Sequence, residues 1–174
     1  MTSNARARAH GHPGTATMTL PDSHPTPDVP SAEADVLPMQ LLRAFLSQTP
    51  LVPGRRAFFR YRDLGLEQAT HGRLRANVSS SIEGMTEPTG WHYHECEMQF
   101  VYSLKGTVTL EFEDGTVSTF GPGDAFFIPG GVRHNEIHIS PDREAIEISL
   151  PGKIGTVPCE RPAHLPPVLR RVQG

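Results

Sequence analysis

The sequence has 174 residues, 37 % of them hydrophobic, and a net charge of −3. This length suits one ordinary domain with tails, and so small a net charge gives no support to nucleic acid or an anionic membrane as a partner. The 16 glycines and 17 prolines favour short strands joined by turns over a helical bundle. A basic run contains Arg55, Arg56, Arg60 and Arg62, and a solvated face explains it better than a phosphate site.

The two cysteines, Cys96 and Cys159, are far apart and do not form a disulfide framework, which fits a reducing compartment. The first residues have no apolar stretch of signal-peptide length, and no later segment is long and apolar enough to span a bilayer. We therefore expect a soluble cytoplasmic protein.

Residues 1–36 are rich in Pro, Ser, Thr, His and Ala and lack large apolar residues. Such a segment buries too little surface to offset the entropy of ordering, so it is predicted to be a disordered tail. Its histidines at 10, 12 and 24 lack a fixed geometry for binding metal.

Residues 37–54 are predicted to be a helix and a linker. Within residues 38–48, Leu42, Phe45 and Leu46 repeat at helical spacing behind Pro38, which predicts a short amphipathic helix. Its apolar stripe would cover either the flank of the domain or a second subunit.

From residue 55 to residue 152 the hydrophobic period drops to two, which predicts short strands and an all-β barrel or sandwich. The predicted strand segments are RAFFRYRDL, GRLRANVSSSI, EMQFVYSL, GTVTLEFE, GTVSTF, DAFFIP, RHNEIHI and EAIEISL. Asp114-Gly115 predicts a tight type I′ hairpin, with Val108, Leu110 and Phe112 on one face of its first strand. Residues 153–174 return to proline and charge, which predicts a C-terminal tail.

The stretch GWHYHECEMQF contains the first candidate metal ligands. Alternate residues of a strand share a face, so His92 and His94 project together with roughly 7 Å between their Cα atoms. Two imidazoles at this spacing can bind one divalent ion, although a lone His-x-His is weak evidence for a metal site. A second segment strengthens the prediction, because Pro129-Gly130-Gly131 makes a sharp turn that aims His134 inward.

Together the two segments resemble the motif pair of the cupins, and the chain is similar to small single-domain cupins of the RmlC-like superfamily. In the first motif, G-x5-H-x-H-x3,4-E-x6-G, His92, His94, Gln99 and Gly106 match in spacing. In the second, G-x5-P-x-G-x2-H-x3-N, the matching residues are Gly123, Pro129, Gly131 and His134. The resemblance covers roughly residues 75–150, with 16 residues between the motifs. It implies a double-stranded β-helix, the jelly-roll barrel, which the short N-terminal helix predicted above would precede.

Three positions depart from the cupin pattern: Thr86 replaces the opening glycine, His138 replaces the final asparagine, and Gln99 replaces the acidic ligand. By resemblance, His92, His94, Gln99 and His134 would hold a divalent ion of Fe, Mn, Ni or Zn. A neutral amide leaves the ion its full charge, so an anionic substrate would supply the missing negative charge.

The fourth ligand has alternatives. Glu95 and Glu97 are acidic, and Glu97 shares the strand parity of Gln99, although spacing from both sides favours Gln99. Another alternative is a pocket that has lost its metal, which the three retained histidines disfavour. Cys96 shares the parity of His94, and a buried structural thiol is a better explanation for it than a ligand or nucleophile.

Two further residues are candidates for catalysis. His138 would act as a base near the rim or stabilise a turn, and Tyr102 would move a proton or contact substrate. Packing or solvent exposure is the simpler explanation for the remaining candidates for substrate contact, which are Trp91, Tyr93, Arg73, Arg75 and Arg133.

The resemblance supports three hypotheses about function. The first is an Fe(II)- or Mn(II)-dependent, dioxygenase-like oxidoreductase that acts on a small anionic organic molecule. The second is a non-redox lyase or isomerase with Zn(II) or Ni(II), and the third is a non-catalytic module that binds a small molecule. Cupins of this size are commonly dimers, so we expect a homodimer.

Overall fold

The computed structural model describes residues 37–54 and 56–166. The predicted disordered tail, residues 1–36, lies outside the described residues. Eleven strands and one four-residue helix are present in the described part of the chain. Their bounds are β1 Val52–Pro53, β2 Phe59–Asp63, α1 Leu66–Ala69, β3 Arg75–Ser81, β4 His92–Glu95, β5 Met98–Lys105, β6 Val108–Phe112, β7 Val117–Phe120, β8 Ala125–Pro129, β9 His134–Ile139, β10 Glu144–Leu150 and β11 Gly155–Pro158.

The strands form two antiparallel sheets, which is the predicted all-β jelly-roll architecture. One sheet has six strands in the order β1-β2-β3-β10-β5-β8, and the other has five in the order β11-β4-β9-β6-β7. All eight predicted strand segments contain a strand, and His92 and His94 lie on a further strand, as expected. A buried apolar cluster, which contains Val108, Leu110, Ile128 and Ile139, draws residues from both sheets.

The predicted helix over residues 38–48 is wrong. No described residue in that range is helical, and the chain only makes a turn at residues 46–48. Tertiary contacts hold the segment in place: Gln40 N–H donates to the carbonyl of Ala69 at 2.9 Å, and Leu42 packs against Gly65. Short helices have little stability of their own in water, so these contacts decide the conformation.

The sheets extend beyond the predicted barrel of residues 55–152 at both ends. β1 pairs with β2, and β11 pairs with β4 inside the segment that was predicted to be a tail. Beyond β11, Arg161 donates to Glu111 at 2.9 Å and Leu165 is buried, so residues up to 166 pack on the domain.

The Asp114-Gly115 hairpin joins β6 to β7, but its turn is not type I′. Gly115 N–H donates to the carbonyl of Phe112, and Gly115 has a φ of 85°. Type I′ requires a positive φ at both central residues, and Asp114 has none. The loop is therefore a turn that ends in a left-handed glycine. Separately, no helix in the described ranges is long and apolar enough to cross a membrane.

Candidate metal centre and cavity

Three buried histidines converge between the two sheets. His92 and His94 alternate with outward-facing residues on β4, and His134 begins β9 directly opposite His92. One ring nitrogen from each of His92, His94 and His134 lies within 4.8 Å of the others. These three residues are called the histidine cluster below. The structure thus brings together all three predicted histidine ligands.

The turn before β9 fixes the position of His134 against β4. Gly131 N–H donates to the carbonyl of His94 at 3.0 Å, and Gly130 N–H donates to the carbonyl of Glu97 at the same distance. A Cβ atom built on Gly130 would lie 1.6 Å from the carbonyl oxygen of Cys96, so only glycine fits there. This contact joins the two motif segments.

Each ring of the histidine cluster is oriented through its Nδ1 atom. Nδ1 of His92 lies 2.9 Å from the carbonyl oxygen of Gly90, and Nδ1 of His134 lies 3.0 Å from that of Val132. Nδ1 of His94 lies 3.2 Å from the carbonyl oxygen of Gly155 on β11. A carbonyl oxygen can only accept a hydrogen bond, so these contacts favour the tautomer with the proton on Nδ1. That tautomer leaves Nε2 with a free lone pair, as a metal requires.

Burial favours the neutral form of two of these rings, His94 and His134. The pKa of His94 falls from 6.5 to about 4, because burial disfavours the charged ring and because His134 and His92 lie close to it. Burial also lowers the pKa of His134. Neutral imidazole is the form that binds a metal ion, so burial favours the metal-binding form of His94 and His134.

The histidine cluster opens into a cavity that extends between the sheets. Gln99 lines this cavity, whereas Glu95 and Glu97 do not and are exposed. Gln99, Val101 and Ser103 face inward on β5, whereas Glu97 has the same parity but precedes the strand. Cavity placement therefore agrees with Gln99 as the candidate fourth ligand.

Sequence analysis missed a carboxylate beside the cluster. Glu136 lines the cavity, and its Oε2 lies 3.7 Å from Nε2 of His92 and accepts a short hydrogen bond from Thr89. Burial alone would raise the pKa of Glu136, but His92, Thr89 and His134 outweigh that effect and lower it. Glu136 lies two residues after His134, so alternation along the strand could have predicted that both side chains face the cavity. The site thus has a negative charge that the motif comparison did not count.

A β-bulge separates Glu136 from the predicted base, His138. Leu110 pairs with Glu136 and Thr109 pairs with His138, so Ile137 is an extra residue in β9. An extra residue reverses the alternation of faces. His138 is consequently exposed and does not line the cavity, although unbroken alternation from His134 predicts that it faces inward.

Tyr102, the other predicted catalytic residue, is 40 % exposed on the outer face of β5 and does not line the cavity. Cys96 also lies outside it, and burial raises the pKa of its thiol, which disfavours the nucleophilic form. Neither His138 nor Tyr102 is therefore positioned by this structure for proton transfer in the cavity.

The remaining candidates for substrate contact divide between two cavities and the surface. Arg75 lines a second cavity, which shares Tyr61, Gln99 and Glu147 with the first. Arg133 pairs with Glu113 at 2.8 Å and lies outside both. Trp91, Tyr93 and Arg73 line neither cavity.

Comparison with known proteins agrees with this geometry. Residues 82–148 match the family model of the cupin domain. The chain therefore contains a cupin domain, which confirms the resemblance drawn from the two motifs. No curated protein matches the sequence.

Solved structures support the fold. The polyketide cyclase RemF from Streptomyces resistomycificus superposes with a TM-score of 0.56 at 21 % identity, over 71 % of this chain and 90 % of RemF. KdgF from Halomonas sp. gives 0.52 at 22 % identity, over 63 % of this chain and 92 % of KdgF. Oxalate decarboxylase from Bacillus subtilis gives a TM-score of 0.51 at 18 % identity, over 65 % of this chain and 30 % of the decarboxylase.

Proposed function

We propose that this protein is a metal-dependent, dioxygenase-like cupin enzyme that acts on a small organic anion. The histidine cluster, with Gln99 or Glu136 as the oxygen donor, would hold a divalent ion of Fe or Mn ahead of Ni or Zn. Fe(II) and Mn(II) are named for two similar structures, HppE and oxalate decarboxylase.

The observation that carries the proposal is the orientation of the three rings. Each Nδ1 meets a backbone carbonyl, and the three rings meet at one point of the cavity. Histidines that served only packing would have no need to share both features. When bound, the ion would supply a Lewis acid with open positions for substrate oxygen and, for Fe(II) or Mn(II), redox chemistry.

An anionic substrate fits the charges that line the cavity. Two arginines, Arg56 and Arg143, and two carboxylates, Glu136 and Glu147, line the cavity, so a bound divalent ion would make the sum of these charges positive. The apolar wall, which includes Val101, Leu110 and Ile128, would exclude water from the body of the substrate.

Elemental analysis of untagged protein tests the proposal, with a His92→Ala/His134→Ala variant as the control. Near-stoichiometric iron or manganese that is lost in the variant supports the site, and oxygen uptake on Fe(II) loading with candidate anions then tests the redox chemistry. No metal in either protein after reconstitution would contradict the proposal and favour a binding module.

A second candidate is a non-redox lyase or isomerase, and the position of Glu136 favours it. Glu136 has a lowered pKa and is therefore an ionised carboxylate that can accept a proton from substrate. We expect Glu136→Gln to abolish turnover by such an enzyme while metal content stays unchanged. Turnover that survives in Glu136→Gln would exclude Glu136 as the base.

A further inference from the structure

The cavity contains a buried cation that lacks a counterion. Arg143 is only 4 % exposed and lines the cavity. Its Nη1 donates to Oγ of Ser79 at 3.2 Å, and its buried Nε has no partner among the described residues. No carboxylate in the described ranges lies within 4.0 Å of it. A charge buried in this way is unfavourable unless a partner supplies the opposite charge.

Small side chains surround this guanidinium. Ala145 on β10 pairs with Ser79 on β3 and with Ser103 on β5, so these three residues form one row across the six-stranded sheet. The row has no large side chain, which leaves room for Arg143 beside Ser79. The hydroxyl of Ser103 is also buried without a partner among the described residues. Two unused polar groups therefore lie at this end of the sheet.

The backbone of Arg143 is held tightly in place. A Cβ atom built on Gly106 would lie 2.7 Å from both N and Cα of Arg143, so the turn after β5 packs directly against it. Arg143 N–H also donates to the carbonyl of Ser140. A cation fixed in this way can bind a ligand with little loss of conformational entropy.

Arg143 and the histidine cluster lie at opposite ends of the cavity. Gln99 and Ser103 face inward on β5 four residues apart, which is about 13 Å between Cα atoms. Apolar residues, including Val101 and Leu110, line the cavity between the two ends. Glu147 faces the cavity from the row between them and would repel a carboxylate placed there. A second anionic group is therefore favoured only at the Arg143 end.

We propose that Arg143 forms a second subsite that binds a terminal carboxylate of an organic acid. The other end of that acid would carry the oxygen atoms that the metal of the histidine cluster binds. This inference rests on the proposed function and specifies its substrate class as extended diacids or acids with a distal oxygen donor. Arginine suits the task because its planar fork matches a carboxylate.

Calorimetric titration of the Mn(II)-loaded protein with linear dicarboxylates from succinate to pimelate tests the proposal. We expect one chain length to bind best, and Arg143→Gln to weaken that binding by about 10- to 100-fold. Arg133→Gln is the matched control, since Arg133 lies outside the cavity and should leave the binding unchanged. Equal binding by wild type and Arg143→Gln, or binding of no diacid by either protein, would overturn the proposal.

Two more variants separate the subsite from folding and from the metal. Arg143→Met removes an uncompensated charge, so its melting temperature should equal or exceed that of the wild type, whereas a structural role for Arg143 predicts a clear decrease. A stable Arg143→Met variant with the same loss of diacid binding supports the subsite even if Arg143→Gln does not fold. In His92→Ala/His134→Ala, weaker binding that still depends on Arg143 supports the subsite without metal. If the wild type binds no Mn(II) yet keeps Arg143-dependent binding, the proposed function fails and the subsite stands.

Discussion

At the scale of single residues, the chemistry of the cavity depends on the charge that each side chain brings to the histidine cluster. Gln99 is neutral, while Glu136 is ionised and lies beside His92. The two residues project from different sheets, so an ion in the cluster would have an amide on one side and a carboxylate on the other. Which of them binds the ion decides the charge that the substrate meets.

Gln99→Glu tests that charge directly. If Gln99 lies next to the ion, a carboxylate there should tighten metal binding by about tenfold or more and weaken the binding of an anionic ligand, because it cancels one unit of charge. Competition with a metal chelator and ligand titration measure both effects. Glu97→Gln is the control, since Glu97 lies outside the cavity. Unchanged affinities for metal and ligand would remove Gln99 from contact with the ion.

The lowered pKa of His94 predicts a pH-dependent stability for the metal-free protein. Unfolded His94 binds a proton near pH 6.5, whereas folded His94 binds one only near pH 4. The unfolded state therefore binds more protons between these values, and the free energy of unfolding decreases as the pH falls through this window, by about 3 kcal/mol in full. Urea unfolding at pH 7.5, 6.5 and 5.5 measures the slope.

Two variants check that assignment. His94→Gln should show a shallower pH slope, and His138→Gln should keep the wild-type slope because His138 is exposed. If the free energy of unfolding of His94→Gln changes with pH as steeply as that of the wild type, the pH dependence belongs to other groups.

Among individual residues, the sequence predicted the histidine cluster but not its surroundings. Alternation of faces was enough for His92 and His94, because β4 is regular. The same rule failed after His134, since the bulge at Ile137 turns His138 outward and Ile139 inward. Arg143 carried no sequence signal, because its position depends on a row of small residues from three strands.

At the scale of elements, the turn between β8 and β9 is the part that builds the site. Gly131 N–H donates to the carbonyl of His94 in β4, and Gly130 N–H donates to that of Glu97 just after β4, so the turn sets the distance between the two motif segments. The sequence indicated a sharp turn here, but it did not show that the turn packs against the chain that follows the first two histidines. That contact joins residues more than 30 positions apart, which no local pattern reveals.

Gly130→Ala should therefore damage both folding and metal binding. The new Cβ atom would overlap the Cys96 carbonyl, and moving the turn should cost about 3 kcal/mol or more. Gly121→Ala is a suitable control, because the nearest atom to its Cβ is 3.8 Å away. Thermal unfolding and metal titration compare the two variants. Equal stability of the two variants would show that the turn adjusts without loss.

At the scale of the whole molecule, the N-terminal segment, residues 37–51, leaves a row of apolar side chains in solvent. Leu41 is 80 % exposed, Leu46 is 76 % exposed and Phe45 is 53 % exposed. Several large apolar side chains exposed in one short segment are typical of a protein interface. The predicted helix is absent, but its apolar residues remain available to a second subunit.

We predict that the protein forms a homodimer through this segment. A Leu41→Lys/Leu46→Lys variant should shift the mass measured by light scattering from dimer to monomer, because it places charges in the interface. Val117→Lys is the control, as Val117 is an exposed apolar residue of β7. A monomeric wild-type protein would contradict the prediction.

The boundary between β4 and β9, called the seam below, links the histidine cluster to the stability of the five-stranded sheet. These two strands share only one register pair in the described chain, and that pair is His92 with His134. The five-stranded sheet is thus weakest where two of its candidate ligands face each other, and a cation held there would cross-link the seam. The β4–β11 ribbon should then detach first in the metal-free protein, so its amide hydrogens would exchange faster without metal. The cellular supply of one ion would in this way set how long the barrel stays closed.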